Sequence, residues 1–197
     1  LRTAYPNIST EFLKAKLCGR WPDGALIKPG EWQNLKPEDP PLDDFKFKQV
    51  GDAQGLGCPF GSHIRRTNPR DDDVAPTRRR PLFRRGMPYG PLYSERNDAP
   101  RGLIGLFFCA SIEDQFEHVM SEWVEKTPLG PPNRGTAKDP LVGHNDDPGS
   151  GFDIPLQGGG SIPLTGFAPF VTTRGTLYTF FPSRAALREI SGGIRPP

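Results

Sequence analysis

Arg101-Gly102-Leu103-Ile104-Gly105-Leu106-Phe107-Phe108-Cys109 runs straight into Ala110-Ser111-Ile112-Glu113-Asp114-Gln115-Phe116-Glu117-His118-Val119-Met120-Ser121-Glu122-Trp123-Val124. The first part is short and apolar almost throughout, the pattern of a strand buried on both faces. The second part changes period. Ile112, Phe116, Val119, Met120, Trp123 and Val124 fall at i, i+4, i+7, i+8, i+11 and i+12, a single apolar stripe along a helix. Ser111 supplies an N-cap, Asp114 a carboxylate in the first turn, and Thr127-Pro128 a stop. A strand feeding directly into an amphipathic helix predicts a mixed architecture.

Upstream of this unit, Leu82 to Arg85 reads as a strand ending at Gly86. Downstream, residues 130–163 read as Gly/Pro-rich loop. Phe167 to Phe181 is aromatic and β-branched, interrupted at Arg174-Gly175, and reads as paired or bulged strand. Ser183 caps a last helix through Ile190, with Ala185, Ala186, Leu187 and Ile190 available for packing. Near the start, Ser9 or Thr10 caps a helix over residues 11–17, with Ile8, Phe12 and Leu17 near one face and Gly19 as its stop. From Arg20 to Phe60 the chain reads as loop, pinned to the body by Trp21 and Trp32. Within it, Phe45 and Phe47 alternate with Lys46 and Lys48 as a short half-buried strand would. The order strand, strand, helix, long loop, strand, helix predicts an α+β fold. Its form would be a ferredoxin-like antiparallel sheet with helices packed on one face and long Gly/Pro-rich loop insertions. Residues 1–56 would form an N-terminal helix and wrapping loop segment, and 57–197 the domain proper.

The 197 residues suit one domain of ordinary size. Only 35% are hydrophobic, and the 23 glycines and 24 prolines make up about twice average usage, so much of the chain must be loop. A net charge of +2 does not point to a nucleic acid or a membrane surface. There is no apolar run of about 18 residues that could span a bilayer. Cys18, Cys58 and Cys109 lack CxxC spacing, which disfavours a disulfide scaffold or a structural zinc site. The chain starts at Leu1 without a signal pattern, so the expectation is a removed upstream segment or a longer chain. Sparse cysteines suit a cytoplasmic setting, and export stays open.

Three histidines are candidates for chemistry. His118 sits off the apolar stripe and His144 in a polar Gly/Asp loop, so both read as surface residues, with Asp146 and Asp147 beside His144 a weak cation site. His63 differs. It follows a Cys58-Pro59-Phe60-Gly61 turn and lies among Arg65, Arg66 and Arg70, with Arg84 and Arg85 further on. A neutral imidazole beside fixed cations suits a metal whose other ligands are anionic, such as haem iron with its two propionates. The residues leave other readings open: a Cys58–His63 zinc or nucleophilic pair, Cys58 as a thiolate ligand, or a phosphate footprint. For that footprint, residues 63–85 hold eight arginines against three aspartates.

CPFGSHIRRTNPR (58–70), RRGMPYG (84–90), RGLIGLFFCASIEDQFEHV (101–119) and RGTLYTFFPSRAAL (174–187) occur in this order. Together they resemble the C-terminal, haem-binding half of the dye-decolorising peroxidases. KAKLCGRWPDGALI (14–27) is similar to the family segment just before the haem domain. The resemblance implies haem b (iron protoporphyrin IX) in a ferredoxin-like domain, with His63 as the axial iron ligand and Arg84 as the distal arginine. It places Arg66, and Arg65 or Arg70, against the propionates, and Leu106 and Phe108 in an apolar distal wall. Asp139 in DPLVGH, with Asp146 behind it, would accept the second N–H of His63. The implied activity reduces hydrogen peroxide and oxidises a dye or phenolic reductant, with Trp123 and Tyr93 as candidate electron relays.

One motif departs from the family. The distal aspartate of a Gly-x-x-Asp-Gly motif, carried by the family's N-terminal domain, has no counterpart here. Asp23-Gly24 comes closest, with one residue too many before it. The expectation is therefore an upstream domain or second chain that supplies this carboxylate. The other readings are a non-catalytic haem-binding module that needs a partner chain, and an arginine-rich nucleic-acid-binding module. An oligomer is compatible with all three.

Overall fold

Ser9 turns its hydroxyl onto the Phe12 amide at 3.0 Å and starts helix α1 (Thr10–Cys18). Gly19 ends it at φ +108°, donating back to the Ala15 carbonyl at 2.6 Å. This is the computed structural model of the chain, which describes residues 8–33, 45–71, 80–126, 138–147 and 150–192. The following elements are α2 (His63–Thr67), β1 (Phe83–Tyr89), β2 (Gly102–Phe108), α3 (Ile112–Glu117), α4 (Val119–Val124), β3 (Gly151–Pro155), β4 (Ser161–Thr165) and α5 (Arg184–Ile190). Helices α3 and α4 continue through His118. Contacts such as Glu125 N–H to Met120 O at 3.2 Å give them a wide, i→i+5 form.

One apolar cluster joins the start of the chain to its second half. Phe12 and Ala15 of α1, with Trp21, Ala25 and Ile27, pack against Phe152 and Ile154 of β3 and Ile162 and Leu164 of β4. The β3–β4 register sets Phe152 opposite Leu164 and Ile154 opposite Ile162, so alternation sends all four to one face. Burying each such side chain contributes about 1.5–3 kcal/mol. The cluster draws from both sides of position 56, so packing marks no seam there.

Beside it lies a buried charged layer. Lys16 Nζ donates to Leu56 O at 2.7 Å and Gly57 O at 2.6 Å. Asp52 accepts from Gly57 N–H at 2.8 Å, Cys58 N–H at 2.7 Å and Arg65 Nη1 at 3.1 Å. Burial lowers the Lys16 ammonium to about 8 despite the nearby Asp52. The unfolded chain holds that proton up to the ordinary lysine range, so above pH 8 it binds more protons than the folded chain and stability rises with pH. Between pH 8 and 9 the gain should be about 1 kcal/mol. The Cys58 thiol offsets part of this within the same window and more of it at higher pH, because burial pushes the folded thiol up to about 12 while the unfolded thiol titrates near 9.0. Urea unfolding at the two pH values should show the rise in the parent chain and not in Lys16→Met; equal slopes would refute it.

The α+β reading holds: among the described residues the strands form two small antiparallel hairpins, β1–β2 and β3–β4. Four local expectations are corrected. Residues 130–163, read as loop, contain β3 and β4, whose Gly- and Pro-rich flanks hid an alternating core. Phe167–Phe181 forms no strand in the structure and is exposed from Ala168 onward. Phe45 and Phe47 sit at a turn and not in a strand, serving as platforms under cations. Arg20 lies 4.2 Å over Phe45, and Arg65 4.3 Å over Phe47. Strand β2 is likewise not buried on both faces: Leu103 is 68% exposed and Phe83, on the paired strand, 78%.

Candidate functional site

His63 is the first residue of α2, at the point where three segments meet. Ser62 before it donates to Lys16 O of α1 at 2.5 Å. Gly19 at the end of α1 is pressed so close that an added Cβ would lie 2.8 Å from Cys58 Sγ. The imidazole is 24% exposed, and its Nδ1 lies 2.9 Å from Asp139 Oδ2.

Asp139 is fully buried, and burial alone would raise its pKa. The His63 hydrogen bond and charge, with amide donors from Leu141 at 2.9 Å and Val142 at 3.1 Å, outweigh this and hold it below the usual carboxylate range. An ionised carboxylate only accepts, so the Nδ1 proton belongs to His63 and Nε2 is the ring nitrogen that Asp139 does not engage. The structure thus brings together His63 and Asp139, which are 76 positions apart. Asp146 is exposed elsewhere on the loop.

The arginines divide. Arg65 is 1% exposed, bonded to Asp52 and to Cys58 O at 2.7 Å, with Phe60 4.2 Å from its guanidinium. Arg66 is fully buried and donates from Nε to Trp123 O at 2.6 Å and from Nη2 to Lys126 O at 3.0 Å, tying α2 to the end of α4. Both guanidiniums are engaged with protein acceptors in the interior. Arg70 is exposed, 4.9 Å over the Phe45 ring. Two of the arginines counted as a phosphate footprint are therefore interior.

Cys58 is buried, and burial pushes its thiol up to about 12, which disfavours a thiolate ligand or nucleophile there. Among the described residues no group of three His, Cys, Asp or Glu side chains could hold a metal ion. His118 packs edge-on against Trp123 at 5.5 Å. His144 Nδ1 meets Glu125 Oε1 at 2.7 Å.

Arg84 is exposed on β1, and the register decides its neighbours. It stands opposite Phe107, on the face shared with Leu103, whose partner is Pro88. Leu106 is opposite Arg85 and Phe108 opposite Phe83, so both belong to the other face. Leu106 and Phe108, expected as an apolar distal wall, therefore lie on the face of the hairpin opposite to Arg84. The hairpin meets the body through Phe107 against Phe116 at 5.3 Å, Phe108 against Phe181 at 5.3 Å, and Arg80 against Asp114 at 3.5 Å.

These features define an α+β domain in which a half-buried imidazole, backed by a fully buried carboxylate, stands at the start of a short helix. No family model matches the chain. It is 30% identical over 94% of its length to the dye-decolorizing peroxidase msp1 of Mycetinis scorodonius. It is 28% identical over 90% to the dye-decolorizing peroxidase AauDyP1 of Auricularia auricula-judae. The structure of DyP2 from Amycolatopsis matches 84% of the chain with a TM-score of 0.64 at 24% identity, covering 38% of that protein. The chain is homologous to the dye-decolorising peroxidases and carries a fold of their type. It spans about 40% of the length of the curated relatives it matches. Among the described residues no helix is long and apolar enough to cross a membrane.

Proposed function

We propose that this chain is the haem-binding portion of a peroxidase of the dye-decolorising type, completed by a polypeptide segment outside it. The observation that carries the reading is the 2.9 Å contact between His63 Nδ1 and Asp139 Oδ2. It commits Nδ1 to the carboxylate, which leaves Nε2 as the nitrogen for a ligand and makes that nitrogen more basic, as an iron ligand requires. The donor set fits haem: one imidazole nitrogen, a buried thiol that does not compete, and Arg70 as the exposed cation following α2 for a propionate. When bound, haem supplies the redox chemistry that cleaves hydrogen peroxide and draws electrons from a dye or phenolic reductant.

The chain's own residues do the rest. His63 holds the group, and Asp139 fixes the tautomer. The Arg84 guanidinium donates to the peroxide oxygen on which negative charge develops. Leu103 and Phe107, on the face of Arg84, take the part of the apolar wall. The carboxylate that would move the peroxide proton comes from the second segment, a reading supported by the exposed apolar side chains around Arg84. The same exposure favours a second reading: a haem-binding module that is inactive until its partner covers it.

Haemin titration with a visible spectrum tests this. The parent chain should show a Soret band and His63→Ala should not; a chain with no band ends the haem readings. Arg84→Ala should keep the band and lower peroxide-driven dye oxidation about 100-fold. A band without dye oxidation in the parent chain assigns the passive module. Salt-sensitive oligonucleotide retention without haem would favour a nucleic-acid binder instead.

A further inference from the structure

We propose that Asn145 is a positioning residue for the His63–Asp139 pair, acting through the main chain of the 138–147 loop and anchored by Glu125 at the end of α4. The proposal deepens the reading of His63 as an iron ligand and rests on it for its functional consequence.

Asp139 is aimed by its backbone as much as by its carboxylate. Its N–H donates to Val124 O of α4 at 2.7 Å, and its carbonyl accepts from Gly143 N–H at 3.1 Å. The Asn145 side chain, 2% exposed, closes this turn. Its Nδ2 donates to Asp139 O at 2.8 Å and to Gly143 O at 3.1 Å, gripping both ends of the turn with one amide. The fit is tight: a Cβ on Gly143 would lie 2.7 Å from Asp139 O.

An outer clasp holds the loop to the helix. Glu125 accepts from His144 N–H at 3.1 Å and meets the His144 ring at 2.7 Å, while Lys138 Nζ donates to His144 O at 2.6 Å. Arg66 ties α4 back to α2, which begins with His63. The contacts therefore form a closed ring: His63 to Asp139, Asp139 to Val124, Trp123 to Arg66, and Arg66 along α2 to His63. Asn145 braces the side of that ring which has no helix of its own. Without it, the Asp139 carboxylate keeps its charge and burial but loses the rigidity that points Oδ2 at Nδ1.

The test is the His63 Nδ1 proton, read by NMR on the full chain labelled with nitrogen-15, without haem. The parent chain should show a downfield Nδ1–H signal that exchanges slowly with water. In Asn145→Ala and in the isosteric but non-donating Asn145→Asp, exchange should be about ten-fold faster, with the remaining amide spectrum dispersed as in the parent. A general loss of stability would move all amides together and not this proton selectively. Glu125→Ala removes both acceptors of the outer clasp from a side chain that is 27% exposed, so it leaves the core intact and should accelerate the same exchange. Unchanged His63 exchange in the folded Asn145 variants overturns the proposal; if those do not fold, unchanged exchange in Glu125→Ala overturns it. Since the signal needs no haem, its failure is distinct from failure of the haem reading, which the Soret titration of the parent chain decides.

Discussion

Arg65→Met is expected to lower the unfolding free energy by about 3–5 kcal/mol, because it strands a buried carboxylate. Arg65 lies in the interior with its guanidinium between the rings of Phe47 and Phe60, at 4.3 and 4.2 Å. Its Nη1 serves three acceptors: Asp52 Oδ2 at 3.1 Å, Asp52 O at 3.1 Å and Cys58 O at 2.7 Å. Methionine keeps much of the stem's packing and removes every donor. Asp52 would then keep the Gly57 and Cys58 amides but lose its cation, and burial already pushes its carboxyl above the ordinary range. Urea unfolding of the parent and the variant measures the cost. The double variant with Asp52→Asn should recover part of it, since the uncompensated charge is then gone. A loss below about 1 kcal/mol in the single variant would mean that Arg65 is no more than a surface-like ion pair.

Asp139→Asn is expected to weaken haem binding about 10- to 100-fold, the usual cost of removing the group that orients a ligating histidine. The substitution is nearly isosteric, and the amide oxygen can still accept from Nδ1. Its NH2 can equally donate to Nδ1, which moves the imidazole proton to Nε2 and blocks the ligating lone pair. The two amide donors from Leu141 and Val142 meet Oδ1 at 2.9 and 3.1 Å, and they favour an oxygen there, leaving the NH2 facing His63. Haemin titration of both chains reads the effect, and equal affinities would show that the tautomer is set by something other than Asp139.

Hairpin β1–β2 and the segment after Phe167 carry much of the exposed apolar surface. Phe83, Leu103, Leu177, Phe180 and Phe181 are all more than half exposed. Large apolar side chains left exposed in this way are the kind of surface that a partner segment covers. It fits the proposal that a further polypeptide segment completes the pocket beside Arg84.

The local elements were legible. Ser9, Ser111 and Ser183 each accept an amide three residues on, as N-caps read from composition and spacing should. The candidate pair His63 and Asp139 was also readable, from motif and chemistry together. Other features were not. The β3–β4 hairpin was missed because Pro155, Pro163 and three glycines at 158–160 look like loop, while the inward alternation of Phe152, Ile154, Ile162 and Leu164 is evident only once the two strands are paired.

The sequence by itself determined the helix starts and the α+β class, which depend on residue type and short spacings that act locally. The pairing of His63 with Asp139, 76 positions on, was an expectation from the family resemblance and not from local spacing. Tertiary structure alone decided which arginines are interior, because Arg65 and Arg66 differ from Arg70 only in what folds over them: Phe47, Asp52 and the end of α4. It also decided that Leu103 and Phe107, and not Leu106 and Phe108, share a face with Arg84. A strand's side chains alternate with period two, so a single-residue change of reference exchanges the faces, and only the pairing register supplies that reference.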